Sequence, residues 1–156
     1  MAIERTLILV KPDGVQRGLV GRIVDRFETR GMKIVGLKLM RMSDELAAKH
    51  YKDHVGKGFY KGLVSFMTSG PLVAMCVEGP KAVEVARKMM GKTFCTDAEP
   101  GTIRGDFGIS RGMNLIHGSD SPESATRELA LFFAPNELQE YTRAVDAAVI
   151  SDEDRG

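Results

Sequence analysis

Apolar residues follow two repeating patterns along this chain. Short apolar runs, continuous or alternating, predict four β-strands at residues 6–10, 32–42, 72–77 and 114–117. Apolar positions that recur every three or four residues predict helices near residues 19–30, 44–51, 63–67, 83–90 and 122–132. Helix-capping residue types agree with these ends: Ser43 and Ser121 precede helices, and Gly31 and Gly91 follow them. Residues 11–14 are turn formers and predict a loop after the first strand.

The order of these elements favours an α+β fold. Two βαβ units, with a pair of helices inserted between the second and third strands, predict a ferredoxin-like βαββαβ sandwich. In this arrangement a four-stranded antiparallel sheet carries helices on one face, and residues 92–112 form a long irregular loop of the kind that is usually functional. A doubly wound parallel sheet is less favoured, because there are too few strands and no dinucleotide fingerprint. We expect one domain over residues 1–150 and a polar tail over residues 151–156.

Composition excludes several classes of protein. With 156 residues, 43% hydrophobic and 28% charged, the chain reads as globular rather than disordered. The formal net charge of +1 argues against nucleic-acid binding as the main function. Two cysteines cannot form a disulfide framework, and Cys76 lies in an apolar run, so we expect a reducing, cytoplasmic setting. No signal peptide is evident, and no apolar run approaches the roughly 18 residues that span a bilayer.

Three short patterns resemble functional motifs and fail. Gly91-Lys92-Thr93 lacks the upstream glycine of a P-loop, since that position holds Ala86. The glycine-rich stretch at residues 56–62 is one residue too long for a dinucleotide loop and is interpreted as a flexible link. His50 and His54 have helical spacing but lack the glutamate of a zinc-protease motif, so the pattern favours surface histidines.

His117 has a more informative setting. It ends an apolar strand and precedes Gly118, so its ring can project from a fixed backbone, and we expect the small glycine to leave room beside it. Taken alone, a histidine at a strand end is also compatible with a hydrogen-bonded structural role.

The surroundings of His117 resemble the nucleoside diphosphate kinase family. The signature is NLIHGSDS at residues 114–121, and three further blocks agree in order: TLILVKPDGVQRGLVG at 6–21, SGPLVAM at 69–75 and PGTIRGDF at 100–107. The likeness extends from about residue 3 to about residue 141.

This resemblance implies transfer of the γ-phosphate of a nucleoside triphosphate, mainly ATP, to a nucleoside diphosphate in a ping-pong cycle through a phosphohistidine. His117 matches the nucleophile, Glu128 the carboxylate that binds its other ring nitrogen, and Ser119 a support for that carboxylate. Lys11 matches a residue near the γ-phosphate and ribose, and Tyr51 a phenol near the reacting phosphate. From the residues alone, Glu128 could equally be an exposed helix residue, Lys11 a solvated loop charge and Tyr51 core packing.

The resemblance also implies the nucleotide-binding set, which contacts phosphate, ribose and base: Arg87, Thr93, Arg104, Asn114, Phe59 and Leu63. The arginines and Thr93 would bind phosphate, the asparagine ribose, and the phenylalanine would stack on any base, which predicts broad base specificity. The resemblance also implies that Mg²⁺ binds to the nucleotide phosphates, and we expect no metal site built from protein groups.

Three stretches depart from the family pattern, at residues 56–58, 94–95 and 111–113. They lie on the base side and in the long loop, and they remove none of the residues assigned to chemistry. The family implies a homo-oligomer, a hexamer or sometimes a tetramer. Two alternatives remain at this point: a nucleotide-binding regulatory protein that has lost turnover, and a nucleic-acid-binding protein.

Overall fold

A computed structural model describes residues 2–156 and contains one antiparallel sheet of four strands. The strands are β1 (Ile3–Val10), β2 (Lys33–Met40), β3 (Leu72–Pro80) and β4 (Ile116–Gly118). Their order across the sheet is β2-β3-β1-β4, and every neighbouring pair is antiparallel. The predicted α+β, ferredoxin-like fold is therefore confirmed.

Eight α-helices occur among the described residues. They are α1 (Pro12–Gln16), α2 (Val20–Arg30), α3 (Asp44–His50), α4 (Tyr60–Met67), α5 (Ala82–Met90), α6 (Ile103–Phe107), α7 (Pro122–Phe132) and α8 (Asp146–Val149). Single 3₁₀ turns cover Lys52–His54, Cys95–Asp97, Pro135–Glu137 and Asp152–Arg155. The five helices predicted from apolar spacing are confirmed.

The prediction of a loop at residues 11–14 is wrong, because α1 begins there. Pro12 occupies the first helical turn, where its fixed φ and missing N–H are tolerated. Gly14 is poor for a helix but is required sterically: a Cβ there would lie 2.8 Å from Val10 Cγ1 and 3.2 Å from the Leu115 carbonyl oxygen. Close contact of the helix with β1 and with the residue that precedes β4 therefore requires glycine at this position.

The sheet is covered on both faces. Alternation along β1 sends Ile8 and Val10 to a core formed with α2 and α5, where Phe27 and Met90 are buried. The other β1 side chains, such as Leu7, face a second core formed with α3, α4 and α7. The two crossover helices thus share one face as predicted, while the inserted pair and α7 occupy the other. This double burial explains the continuous apolar run of β1.

The C-terminal segment returns across the edge strand β2. Gln139 N–H donates to the Val35 carbonyl, and the Tyr141 hydroxyl donates to the Ile34 carbonyl. Within residues 151–156, Arg155 donates to the carbonyls of Asp146 and Ile150. None of the helices between residues 2 and 156 is both long enough and apolar enough to cross a bilayer.

Candidate functional site

The side chains of His117 and Glu128 form a hydrogen-bonded pair at the end of β4. His117 Nε2 lies 2.8 Å from Glu128 Oε1. The carboxylate side chain is 7% exposed and the imidazole 22% exposed. An ionised carboxylate can only accept hydrogen bonds, so Nε2 carries the proton of the neutral ring and Nδ1 carries the free lone pair. The pair therefore fixes which ring nitrogen holds the free lone pair.

The position of Glu128 follows from how α7 begins. Ser121 is the N-cap, its hydroxyl accepting from Ser124 N–H at 3.0 Å, and Pro122 occupies the first turn. The resulting helix turns Glu128 towards the sheet, where it is buried rather than exposed. Ser119 is also buried, and its hydroxyl donates to the same carboxylate oxygen at 2.9 Å.

Glu128 stays ionised despite its burial. Burial by itself raises the pKa of this carboxyl. The hydrogen bond and charge interaction with His117, together with the Ser119 hydroxyl, lower the pKa by more than burial raises it. The net pKa lies below the ordinary value of a glutamate. Arg127 adds a cation 3.7 Å from the second carboxylate oxygen. A negative charge is thus maintained against the imidazole.

Lys11 directly follows β1 and points into the site rather than into solvent. Its Nζ donates to Asn114 Oδ1 at 2.8 Å, and Asn114 Nδ2 donates to the Thr93 carbonyl at 3.1 Å. Burial, and then the charge of Arg104, lower the pKa of Lys11 to about 8. Three residues that are distant in sequence, Lys11, Thr93 and Asn114, therefore meet beside the strand that carries His117.

Arg104 is buried, and three backbone carbonyls fix the position of its guanidinium. Its guanidinium donates to the carbonyls of Asn114, Gly91 and Ile116, at 3.2, 3.1 and 2.6 Å. Burial lowers its pKa to about 10, so it remains a cation at neutral pH. Arg87 lies on α5 and donates to the Gly118 carbonyl at 3.1 Å. Both arginines thus hold the backbone that flanks His117 and bring positive charge to it.

A chain of aromatic contacts links the imidazole of His117 to the ring of Phe59. The ring of His50 lies edge-on to those of His117 and Tyr51, with centroids 4.8 and 4.5 Å apart. Tyr51 stacks on His54 at 6.2 Å, and His54 contacts Phe59 at 5.2 Å. Burial, and then the charge of Glu128, raise the pKa of the Tyr51 phenol, so it stays protonated.

The predicted base-side residues lie at the start of α4. Phe59 immediately precedes this helix and is exposed, so its ring can stack on a ligand. Leu63 is half-buried and packs against the second core. The structure brings His117, Glu128 and Ser119 into direct contact. Lys11 contacts Asn114 and Tyr51 contacts His50, while Phe59 faces outward at the far end of the aromatic chain.

The prediction that His50 is a surface histidine is wrong. His50 is only 5% exposed and also contacts Phe132. It follows the buried Ala47 by three residues on α3, so the two share the helix face that packs inward. That spacing was the available signal, but a polar residue type concealed it. His54 is half-buried.

The expectation that Gly118 leaves space for a ligand is also wrong. A Cβ at this position would lie 2.5 Å from Met90 Sδ and 3.4 Å from Ile8 Cδ1. The space that a side chain would occupy is filled by the core between β4 and α5. Glycine at this position therefore permits close packing behind the imidazole.

The chain resembles known proteins over most of its length. A family model described as nucleoside diphosphate kinase matches residues 4–138. The chain is 61% identical over 144 residues to a nucleoside diphosphate kinase of Carboxydothermus hydrogenoformans, covering 92% of this chain and 97% of the relative. It is 58% identical over 144 residues to one of Thermomicrobium roseum, again with 92% and 97% coverage.

A solved structure shows the same likeness. The halophilic nucleoside diphosphate kinase of Halobacterium salinarum, solved in complex with CDP, superposes with a TM-score of 0.92 and 54% identity, covering 95% of this chain and 99% of that one. The family model, the relatives and the solved structure agree, and the chain belongs to the nucleoside diphosphate kinase family.

Proposed function

We propose that this protein transfers the γ-phosphate of nucleoside triphosphates, mainly ATP, to nucleoside diphosphates through a phosphohistidine at His117. The observation that carries the proposal is the pairing of His117 Nε2 with the buried, ionised Glu128. This pairing leaves Nδ1 unprotonated on a ring that is 22% exposed, as a nucleophile requires.

The reaction consists of two balanced displacements. The Nδ1 lone pair attacks the γ-phosphorus, a P–N bond forms, and the P–O bond to the β-phosphate breaks. The nucleoside diphosphate leaves with that electron pair, and the phosphorylated ring, which keeps its Nε2 proton, gains positive charge. The Glu128 carboxylate stabilises this charge at 2.8 Å. An oxygen of a second nucleoside diphosphate then attacks the same phosphorus from the opposite direction, and His117 regains its lone pair.

The cations around the imidazole account for phosphate binding. Lys11 follows β1, Arg87 lies on α5 and Arg104 on α6. Their charges suit phosphate oxygens and the negative charge that develops on them. Nucleoside diphosphate kinases use a divalent cation, which we assign to Mg²⁺ carried on the nucleotide phosphates. These three cationic side chains suit a metal that arrives bound to the nucleotide rather than one that the protein itself holds.

Ribose and base contacts fit a site that accepts many nucleotides. We assign Asn114 and Lys11 to ribose hydroxyls, Thr93 to phosphate and Phe59 with Leu63 to the base. An exposed phenylalanine stacks on any base without reading its edge. The CDP bound to the Halobacterium salinarum relative is a nucleoside diphosphate, the class expected of the acceptor.

Labelling with γ-³²P ATP tests the proposal. Wild-type protein should acquire acid-labile, base-stable label, and His117→Ala should acquire none. His54→Ala is the matched control and should retain the label, because its ring contacts Tyr51 and Phe59 rather than His117. Parallel lines should appear when donor and acceptor are both varied. Unlabelled wild-type protein that still binds nucleotide would favour a regulatory protein without turnover.

We also propose that the protein is a cytoplasmic homo-oligomer, either a hexamer or a tetramer. Leu39, on the edge strand β2, is 66% exposed, and Ile109, in the loop before β4, is 80% exposed. Large exposed apolar patches mark interaction sites, and we propose that a second copy covers these side chains. Both cysteines, Cys76 and Cys95, are free thiols, which suits a reducing compartment. Light scattering after size exclusion measures the subunit number.

A further inference from the structure

His50 is a buried polar side chain that the phosphotransfer mechanism does not use. It is 5% exposed, and neither Nδ1 nor Nε2 has a hydrogen-bond partner among the described residues. Burial lowers its pKa to about 3, so the ring is neutral and both roles of a neutral imidazole, donor and acceptor, are unfulfilled. Buried polar groups in proteins are normally paired, so this ring is unusual.

The unpaired ring lies directly against the catalytic pair. One ligand atom each from His50, His117 and Glu128 lie within 4.8 Å of one another. The two imidazoles meet edge to face, with planes 80° apart. A tetrahedral ion with bonds of about 2.1 Å needs ligand atoms about 3.4 Å apart. Side-chain rotations that shorten the longest of these separations by roughly 1.4 Å would therefore bring the three ligand atoms to the spacing of a metal site.

We propose that His50, His117 and Glu128 form a site for a zinc-class divalent ion that inhibits the enzyme. The inference rests on the proposed role of His117 as the phosphate carrier. Two imidazoles and one carboxylate are the donor set of open zinc sites, in which a fourth position is left to water. Mg²⁺ prefers oxygen ligands and octahedral geometry, so the metal that serves the nucleotide would not compete for this one.

The ion would inhibit by changing the tautomer of His117. In the free site the Nε2 proton bonds to Glu128 and Nδ1 holds the lone pair. A metal bound at Nε2 takes the place of that proton, and the proton of the neutral ring moves through solvent to Nδ1. The nitrogen that attacks phosphorus then has no lone pair available. Glu128 is simultaneously drawn from the ring to the ion, so the enzyme loses both nucleophile and orienting charge.

Two nearby cations limit how tightly the ion binds. Arg127 lies 3.7 Å from Glu128 Oε2, and Lys11 contributes positive charge at His50. We therefore expect affinity in the micromolar range rather than that of a structural zinc site. The site is suited to reversible inhibition by free metal.

Calorimetric titration of Zn²⁺ into nucleotide-free protein tests the binding. We expect one ion per chain and at least about tenfold weaker binding in His50→Phe, since loss of even an outer-sphere partner costs about 10–100-fold. Phenylalanine keeps a flat ring among Tyr51 and Phe132. His54→Gln is the matched control and should bind like wild type. Equal affinity in His50→Phe and wild type would overturn the site.

Two measurements on wild-type protein do not depend on a variant folding. Co²⁺ should give the visible absorption of a tetrahedral site, and Zn²⁺-soaked crystals should show anomalous density at bonding distance from all three side chains. Density elsewhere, with none at this cluster, would refute the proposal.

Labelling by MgATP at buffered free Zn²⁺ tests inhibition. The label should fall as the site fills in wild-type protein and should persist in His50→Phe. Binding with undiminished label would overturn the inhibitory role. Absence of label without zinc would instead refute the phosphohistidine, and the titration would still decide the metal site.

Discussion

Asp13 holds Leu115 in a left-handed backbone conformation. The Leu115 N–H donates to Asp13 Oδ2 at 3.0 Å, and φ of Leu115 is +73°. The Leu115 carbonyl accepts from Lys11 N–H at 2.8 Å, so both backbone groups are held by the start of α1. A left-handed leucine costs about 1–2 kcal/mol and needs such support. The turn that results presents Asn114 to Lys11 and is followed at once by β4, which begins at Ile116 and carries His117.

We expect Asp13→Ala to lower both stability and transfer rate. The buried Leu115 N–H would lose its acceptor, which costs about 1–3 kcal/mol of the free energy of unfolding. Asp13→Asn keeps a carbonyl oxygen and should recover most of that loss. Urea unfolding and single-turnover labelling measure the two effects. If asparagine proved as harmful as alanine, the hydrogen bond would not be what holds the turn.

Glu128→Gln should slow transfer by about 100-fold or more, because the charge that stabilises the phosphorylated ring is removed while an acceptor oxygen remains. Nucleotide affinity should change by less than about threefold, since the carboxylate contacts the nucleophile rather than the substrate. Rapid-quench labelling and equilibrium binding separate these quantities. Glu123→Gln, an exposed carboxylate on the same helix, is the control. Equal losses of rate and affinity would contradict the orienting role.

Lys11 should set an alkaline limit on kcat/KM. Its pKa of about 8 means that the folded enzyme loses this cation above that pH, and phosphate binding weakens. The limit on kcat should lie at higher pH, because bound phosphate favours the protonated amine. Lys11→Arg stays charged, so its residual activity should lack this limit. An unchanged alkaline limb in Lys11→Arg would show that another group titrates.

The stability that Lys11 contributes changes in the opposite direction. In the unfolded chain its pKa returns to about 10.4, so between roughly pH 8 and 10.4 the unfolded state binds more protons than the folded state. The contribution of Lys11 to the free energy of unfolding therefore rises with pH in that window, so the protein gains stability while its activity falls. Urea unfolding at each pH distinguishes loss of a cation from denaturation.

The fold could be predicted because apolar spacing records burial. The continuous run of β1 marks burial on two faces, and Phe27 repeats at helical spacing with Ile23. Helices α1 and α6 could not be predicted in this way. They have five residues each, and α6 depends on Thr102, whose hydroxyl accepts from Gly105 N–H. Short helices are decided by caps and neighbours rather than by period.

Some residues of the candidate site could likewise be predicted from the sequence, whereas the roles of others depend on contacts in the folded chain. The family resemblance points to His117, Glu128 and Ser119. Neither motif nor period identifies the other side chains that pack around them. His50 is polar on a buried face, and the role of Asp13 depends on a contact 102 residues away. The departures from the family pattern give a further case. Two of them meet: the Arg111 guanidinium lies 4.1 Å from the centre of the Phe94 ring, a pair visible only in three dimensions.

Gly118→Ala should destabilise the protein through Met90. The new Cβ would lie 2.5 Å from Met90 Sδ, in a core where Met90 is 1% exposed, and overpacking of this kind costs about 1–3 kcal/mol. The sulfur lies on a flexible side chain, so the protein should fold, with β4 displaced and labelling of His117 slowed. Met90→Ala alone leaves a cavity and should cost about 2–5 kcal/mol. Because the alanine methyl fills part of that cavity, the double variant should be more stable than the sum of the single losses predicts. Strict additivity in urea unfolding would show that the two side chains do not compete for one space, and that Gly118 is required for another reason.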